Sequence, residues 1–198
     1  MSPKGKPDPD LYQIRKETLS LLERQSERGL IDLFYGDESQ VSEVGYVPYG
    51  WQFGDEVVQI HAQRGRSMNY FGLISRSNEL LYQATESTIT SDFVLAQLDA
   101  LSHRIVKQTV VVLDNARIHT AKKIKAQLSV WQERGLYLFY LPPYSPHLNI
   151  IERLWRELKG HWLRASDYES AEQLFYATWL ALSAVGKTLR INFSSFKL

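Results

Sequence analysis

Val110-Val-Val-Leu113 is an uninterrupted apolar run that stops abruptly at Asp114. A strand with one wet face alternates apolar and polar residues, whereas a run with no polar position suits a strand covered on both faces of a sheet. Residues 136–141 read as a second strand of this kind. Between the two, Ile124, Leu128 and Trp131 recur at helical spacing, with Thr120 as the expected cap. Strand, helix and strand in alternation build a sheet with helices packed against it.

The flanking sequence extends this pattern. Asp8-Pro9 suits a helix start, and Leu11, Ile14, Leu21 and Leu22 keep a rough helical period as far as Gly29. Residues 30–36 read as a short strand that ends at Asp37-Glu38-Ser39, and Gly45, Pro48, Gly50 and Gly54 mark a loop or hairpin. Residues 57–62, 69–75 and 80–84 read as strands of an antiparallel meander. Val94, Leu98, Leu101 and Ile105 mark a helix with Ser91 as its cap. Pro142-Pro-Tyr-Ser-Pro146 excludes both helix and central strand. Asn149 opens a helix with Ile151, Trp155, Leu158 and Trp162 on one face. Ser170 and Gln173 have capping-box spacing and begin a last helix whose inner face is Leu174, Phe175, Thr178, Leu182 and Val185. The order predicts an α/β fold with a mixed sheet. At 198 residues the chain has the size of one domain of ~100–200 residues, read as 11–198 after a linker stub at 1–10.

Composition removes several classes of function. No cysteine is present, which excludes a disulfide framework, a thiolate metal site and a cysteine nucleophile. No apolar run approaches the ~18 residues of a membrane span, and the polar first ten residues are not a secretory signal. A cytoplasmic location is expected. The net charge of +1 conceals an asymmetry: residues 1–114 carry 11 Lys/Arg against 16 Asp/Glu, while residues 115–166 carry 9 against 3. Basic charge concentrated in this way suits a polyanion, or equally a solvated helix face.

Three acids stand at the ends of elements: Asp37 after the first strand, Asp114 after the apolar run, and Glu152 in the first turn after the proline segment. Sites in open α/β sheets gather where strands end and helices begin. Two like charges ~5 Å apart repel by ~3 kcal/mol at an effective dielectric of ~20, so three mutual pairs cost on the order of 10 kcal/mol. That rivals the stability of a whole domain. Such a cluster persists only when protonated or neutralised by cations, and Mg²⁺ and Mn²⁺ prefer oxygen ligands. Two such ions can activate water and stabilise a leaving oxygen in phosphodiester cleavage. Each acid also has a plain alternative. Asp37 suits a turn, Asp114-Asn115 suits a strand end, and Asn149-x-x-Glu152 has the spacing of a capping box.

Val110-Val-Val-Leu-Asp-Asn-Ala-Arg-Ile-His119 and Leu141-Pro-Pro-Tyr-Ser-Pro-His-Leu-Asn-Ile-Ile-Glu152-Arg-Leu-Trp-Arg156 resemble the catalytic core of DDE transposases, in the mariner-like branch of bacterial insertion sequences. Phe34-Tyr-Gly-Asp37-Glu-Ser39, followed by the aromatic and Gly loop to Gly50-Trp51, fits the first acid of that pattern. The resemblance implies an RNase H-like fold, with Asp37 and Asp114 on adjacent strands and Glu152 on the following helix, together binding two Mg²⁺ (or Mn²⁺) ions. It implies cleavage of double-stranded DNA at a transposon end and attack of the freed 3′-OH on target DNA, typically at TA. Two departures accompany it. Relatives usually carry an N-terminal helix-turn-helix region, so a split reading frame, a frameshift product or a truncated copy is expected here. End recognition would then come from an upstream-encoded helix-turn-helix part, and a homodimer is a further expected partner. The Asp114–Glu152 interval is also slightly longer than usual, with Trp131-Gln-Glu-Arg-Gly135 absorbing the difference. The competing functions are a catalytically inactive DNA-binding remnant and another RNase H-like nuclease.

Further residues follow from this frame. Strand alternation points Glu38 away from Asp37, and Asp37 is preferred as the ligand. Asn115 and His119 are candidates to orient a metal-bound water or touch a phosphate. Arg117, Lys122, Lys123, Lys125, Arg153, Arg156 and Lys159 are candidates for backbone phosphate contacts, which position DNA without reading its sequence. Trp155 and Trp162 are expected in the core, whereas Trp51 and Tyr144 suit either base stacking or packing. His147 and His161 lack ligand spacing, so no histidine metal site is expected.

Overall fold

The computed structural model describes residues 9–43 and 65–193. The expected strand at 57–62 and the loop bearing Trp51 lie outside these residues, as does the Asp8 cap. In chain order the elements are α1 (Pro9–Glu27), β1 (Asp32–Ser42), β2 (Ser67–Ile74), β3 (Leu80–Thr85), α2 (Ser91–Ser102), β4 (Thr109–Leu113), α3 (Lys122–Glu133), β5 (Leu136–Tyr140), α4 (Ile151–Glu157) and α5 (Ala171–Ala184). The five strands form one mixed sheet in the order β3-β2-β1-β4-β5. β1 and β2, and β2 and β3, pair antiparallel; β4 is parallel to both β1 and β5.

Alternation along the strands divides the core. Leu33, Tyr35, Val110 and Val112 face a layer containing Leu19 of α1, Ile151, Leu154 and Trp155 of α4, and Leu174 and Leu182 of α5. Phe34, Val111 and Leu113 face the opposite layer, with Val94 and Leu98 of α2 and Ile124 and Trp131 of α3. All five residues of β4 are buried, as a strand covered on both faces requires.

Three local expectations are corrected. β1 does not end at Asp37. It runs on to Ser42, because eight residues from Tyr35 onward pair with β2 and this ladder overrides the turn preference of Asp-Glu-Ser. Thr120 does not cap α3; Ala121 holds that position without a side-chain bond, and the Thr120 hydroxyl donates back to Ala116 O at 3.1 Å. The cap of α2 is Thr90 rather than Ser91, its hydroxyl accepting from Phe93 N at 3.4 Å. Ser170 caps α5 as its spacing predicts, accepting from Gln173 N at 3.3 Å.

Candidate active site

The approach of α4 to the sheet depends on a missing side chain. Gly72 of β2 is the register partner of Asp37. A Cβ at Gly72 would stand 3.0 Å from Trp155 Cη2 and 3.2 Å from Ile151 Cδ1. Without one, α4 settles onto the sheet next to Asp37, and Glu152 sits in its first turn. Asn149 fixes the start of that helix. Its Nδ2 donates to the Gly36 carbonyl at 3.1 Å, in a buried hydrogen bond between residues 113 positions apart. The capping-box alternative for Asn149 and Glu152 is therefore not what forms: Ile150 is the N-cap, with no side-chain bond.

The pairing of β1 with β4 aligns Tyr35 with Val112. Continued by two residues, this register brings Asp37 beside Asp114. Both residues then share the face of Tyr35 and Val112, the face covered by α4. Asp37, Asp114 and Glu152 line one cavity of about 500 Å³, with Asn115 and the proline loop from Leu141 to Pro146 forming the rest of its wall. The loop is tied down from both sides. Asn115 Nδ2 donates to Leu141 O, and the Tyr12 hydroxyl of α1 lies 3.0 Å from His147 Nε2. Tyr144 belongs to the same wall at φ 59° and is 72% exposed, so it is not packed into the core.

Charge is concentrated here. Burial, then the charges of Glu38, Glu152 and Asp114, raise the pKa of Asp37 from 3.8 to about 8. Asp37 Oδ1 accepts the Glu38 backbone N–H at 2.8 Å. Asp114 is also half-buried, which pushes its pKa up, but hydrogen bonds from His119 and the Ala116 N–H outweigh burial and hold it below the ordinary carboxylate range. Lys159 lies two helical turns beyond Glu152, in the π-helical turn Leu158–Trp162 that continues α4. Burial lowers its pKa, while Glu152 and Asp37 act in the opposite sense, so this ammonium stands close enough to feel both acids. Among the described residues, no group of three or more His, Cys, Asp or Glu side chains is already gathered into a metal cage. The all-oxygen donors on one cavity wall, with Asp37 loaded by its acidic neighbours, nonetheless suit a hard divalent cation.

The remaining candidates separate. Arg117, Lys122, Arg153 and Arg156 are exposed, as is Lys123. Lys123 is engaged by Asp92 at 2.6 Å, and Arg153 by Glu157 at 3.3 Å. His119 cannot touch a phosphate from solvent, which corrects that expectation: it has no exposed surface and lies between Asp114 and Glu38. Burial lowers its pKa, but the hydrogen bond to Asp114 and the charges of Glu38 and Asp114 prevail and carry it up to about 9. Glu38 does face away from Asp37, into the layer of Phe71, its register partner. Trp155 is buried and Trp162 packs against the same core. Two contributors were not legible in the sequence: Asn149 as an anchor, and Glu38 as a partner of His119.

Residues 32–175 match the profile of a known family, described as DDE superfamily endonuclease. The chain belongs to this family. An uncharacterized protein of Sinorhizobium fredii, y4pE/y4sA, is 32% identical over 73 residues, which is 35% of this chain and 50% of that protein. Among solved structures, the Mos1 mariner paired end complex with Mn superposes with a TM-score of 0.58 at 16% identity, covering 92% of this chain and 61% of the Mos1 chain. A pre-cleavage Mos1 transpososome gives 0.55 at 16% identity, with the same coverage. A simian T-cell lymphotropic virus intasome, solved with a PP2A regulatory subunit, gives 0.55 at 13%, covering 82% of this chain and 51% of that one. The chain thus spans half of the curated relative and about three-fifths of the Mos1 chain. Identities this low establish the fold, and this DDE family member has the RNase H-like architecture of transposase and integrase cores.

Proposed function

We propose that this chain is the catalytic domain of a transposase that cuts DNA strands and joins them to a target, with Asp37, Asp114 and Glu152 as its catalytic carboxylates. The observation that carries the proposal is the lining of one cavity by these three acids in a chain of the DDE endonuclease family. Mg²⁺ or Mn²⁺, two ions per site, would supply neutralisation of the developing phosphate charge and a lowered pKa for the attacking hydroxyl. The chain's own residues do the rest. Asp37 and Asp114 each hold one oxygen in hydrogen bonds and leave the other for ligation. Lys159 offers a cation close to Glu152 for a phosphate oxygen. Arg117, Lys122, Lys123, Arg153 and Arg156 are exposed and suit the DNA backbone. Residues 11–198 as one catalytic domain, an upstream-encoded helix-turn-helix part, a second copy of the chain, and a cytoplasmic, nucleoid-associated location belong to the same proposal. No helix among the described residues is long and apolar enough to cross a membrane.

The test is nicking of double-stranded transposon-end DNA with Mg²⁺, the helix-turn-helix part being added if needed. Asp114→Asn and Glu152→Gln should each lose more than the ~10–100-fold typical of groups one step removed from a metal, without unfolding. Metal-independent DNA binding with no cutting selects the inactive remnant instead. Preference for RNA–DNA hybrids selects another RNase H-like nuclease.

A further inference from the structure

His119 is a wholly buried imidazole beside a carboxylate of the proposed site. Its ring lies against Phe71, with centroids 6.2 Å apart, on the opposite side of the sheet from α4. The Tyr140 hydroxyl donates to its carbonyl at 2.9 Å, which fixes the backbone that carries the ring. Nδ1 stands 2.6 Å from Asp114 Oδ1, and the same oxygen accepts the Ala116 N–H at 2.9 Å. Two donors on Oδ1 stop the carboxylate from rotating and leave Oδ2 as the oxygen free for the cavity. At the other edge of the ring, Nε2 lies 3.1 Å from Glu38 Oε2, an ion-pair distance off the line of a hydrogen bond. Glu38 follows Asp37 on β1, and Asp114 is the first residue after β4 ends at Leu113. One imidazole therefore bridges β1, which carries Asp37, and the segment after β4, which carries Asp114. An apolar side chain would fill that layer equally well, so packing alone does not account for a histidine in contact with two acids.

We infer that His119 is a positioning residue: its Nδ1–H locks the rotamer of Asp114 so that Oδ2 faces the cavity, while the other edge of the ring rests against Glu38. The inference rests on the proposed carboxylate metal site. It assigns Glu38 to the support of that site rather than to ligation.

The test is Mn²⁺ binding to the DNA-free chain, followed by electron paramagnetic resonance, in the wild type, His119→Asn, His119→Gln and Asp114→Asn. The amide of Asn replaces the donor at the Nδ1 position, whereas that of Gln reaches the Nε2 position. His119→Asn should stay within about threefold of wild type, and His119→Gln should lose ~10–100-fold in affinity. A merely structural role would move both variants alike. Equal loss in both, or wild-type affinity in His119→Gln, overturns the positioning role and leaves the metal site standing. Wild-type protein that binds no Mn²⁺, or Asp114→Asn that binds it unchanged, refutes the metal site and this inference with it. A measurement on the wild type guards against a variant that fails to fold: ¹⁵N NMR should find a slowly exchanging proton on Nδ1 of the buried ring, shifted by added Mg²⁺. An Nδ1 without a proton overturns the inference directly.

Discussion

Replacing Asp37 with Asn should stabilise the metal-free protein while abolishing its proposed activity. Burial and three neighbouring acids raise the Asp37 pKa to about 8 in the folded chain, whereas an unfolded Asp titrates near ~3.9. The folded state therefore holds the proton more tightly. The contribution of Asp37 to stability is complete below about pH 4 and is lost as pH rises toward about 8. At pH 7 the gap is roughly three pH units, and at ~1.36 kcal/mol per unit it sets a ceiling of ~4 kcal/mol. Solvent reaches Asp37 through the cavity and its neighbours share the repulsion, so about half, ~2 kcal/mol, is expected on removing the charge. At ~2–4 °C per kcal/mol for a chain of this size, Asp37→Asn should melt ~4–8 °C above wild type in EDTA at neutral pH. The difference should shrink toward zero near pH 4. His119, carried up to about 9, likewise stabilises fully below its unfolded value and loses that contribution as pH rises through about 9. It does so in both proteins and largely cancels from the comparison. Mg²⁺ should raise the melting temperature of the wild type and leave that of the variant nearly unmoved. Calorimetry across pH 4–8, with EDTA and with Mg²⁺, measures all of this. A variant that melts at or below wild type at neutral pH, with a gap that ignores acidification, would show that charge repulsion does not govern this site.

Other perturbations follow from the same geometry. Gly72→Ala adds a Cβ 3.0 Å from the Trp155 ring and should cost ~1–3 kcal/mol by urea unfolding, with partial recovery in a Trp155→Phe background. Asn149→Ala leaves the buried Gly36 carbonyl without its partner; a loss of ~1–3 kcal/mol is expected, with nicking reduced further than the stability change explains because Glu152 loses its seat. Arg156→Ala and Lys122→Ala should each lower the slope of log affinity against log salt by ~0.9 on duplex DNA. Lys123→Ala and Arg153→Ala should change it less, since each cation already has an acidic partner.

What the sequence made legible was whatever depends on neighbours along the chain. The apolar run at 110–113 is a central strand, and the period of Ile124 and Trp131 marks the buried face of α3. The Ser170 cap is likewise local. Errors arose where a distant partner overrides local preference. Asp37-Glu38-Ser39 has turn chemistry, yet β2 holds all three in extended pairing. Asn149-x-x-Glu152 has the spacing of a capping box, but Asn149 bonds to a carbonyl 113 positions away, and spacing cannot separate these uses of one side chain. The interval from Asp114 to His119 was visible as well, though nothing in it announces that the ring turns inward to a second acid on another strand.

The extension of β1 beyond its expected end also bears on how the acids can be tolerated. Pairing with β4 runs only from Asp32 to Tyr35, while pairing with β2 continues to Ser42. Asp37 therefore has its backbone fixed by a strand on one side and no strand on the other, where the cavity opens. A turn residue would be free to swing its carboxylate into water and relax the repulsion. Held in a ladder, Asp37 keeps its Cα at the cavity among the other acids, where burial first and then their charges raise its pKa to about 8. The same restraint keeps a ligating oxygen in place before a cation arrives, so the apo-state penalty and the preorganisation of the site have one structural origin.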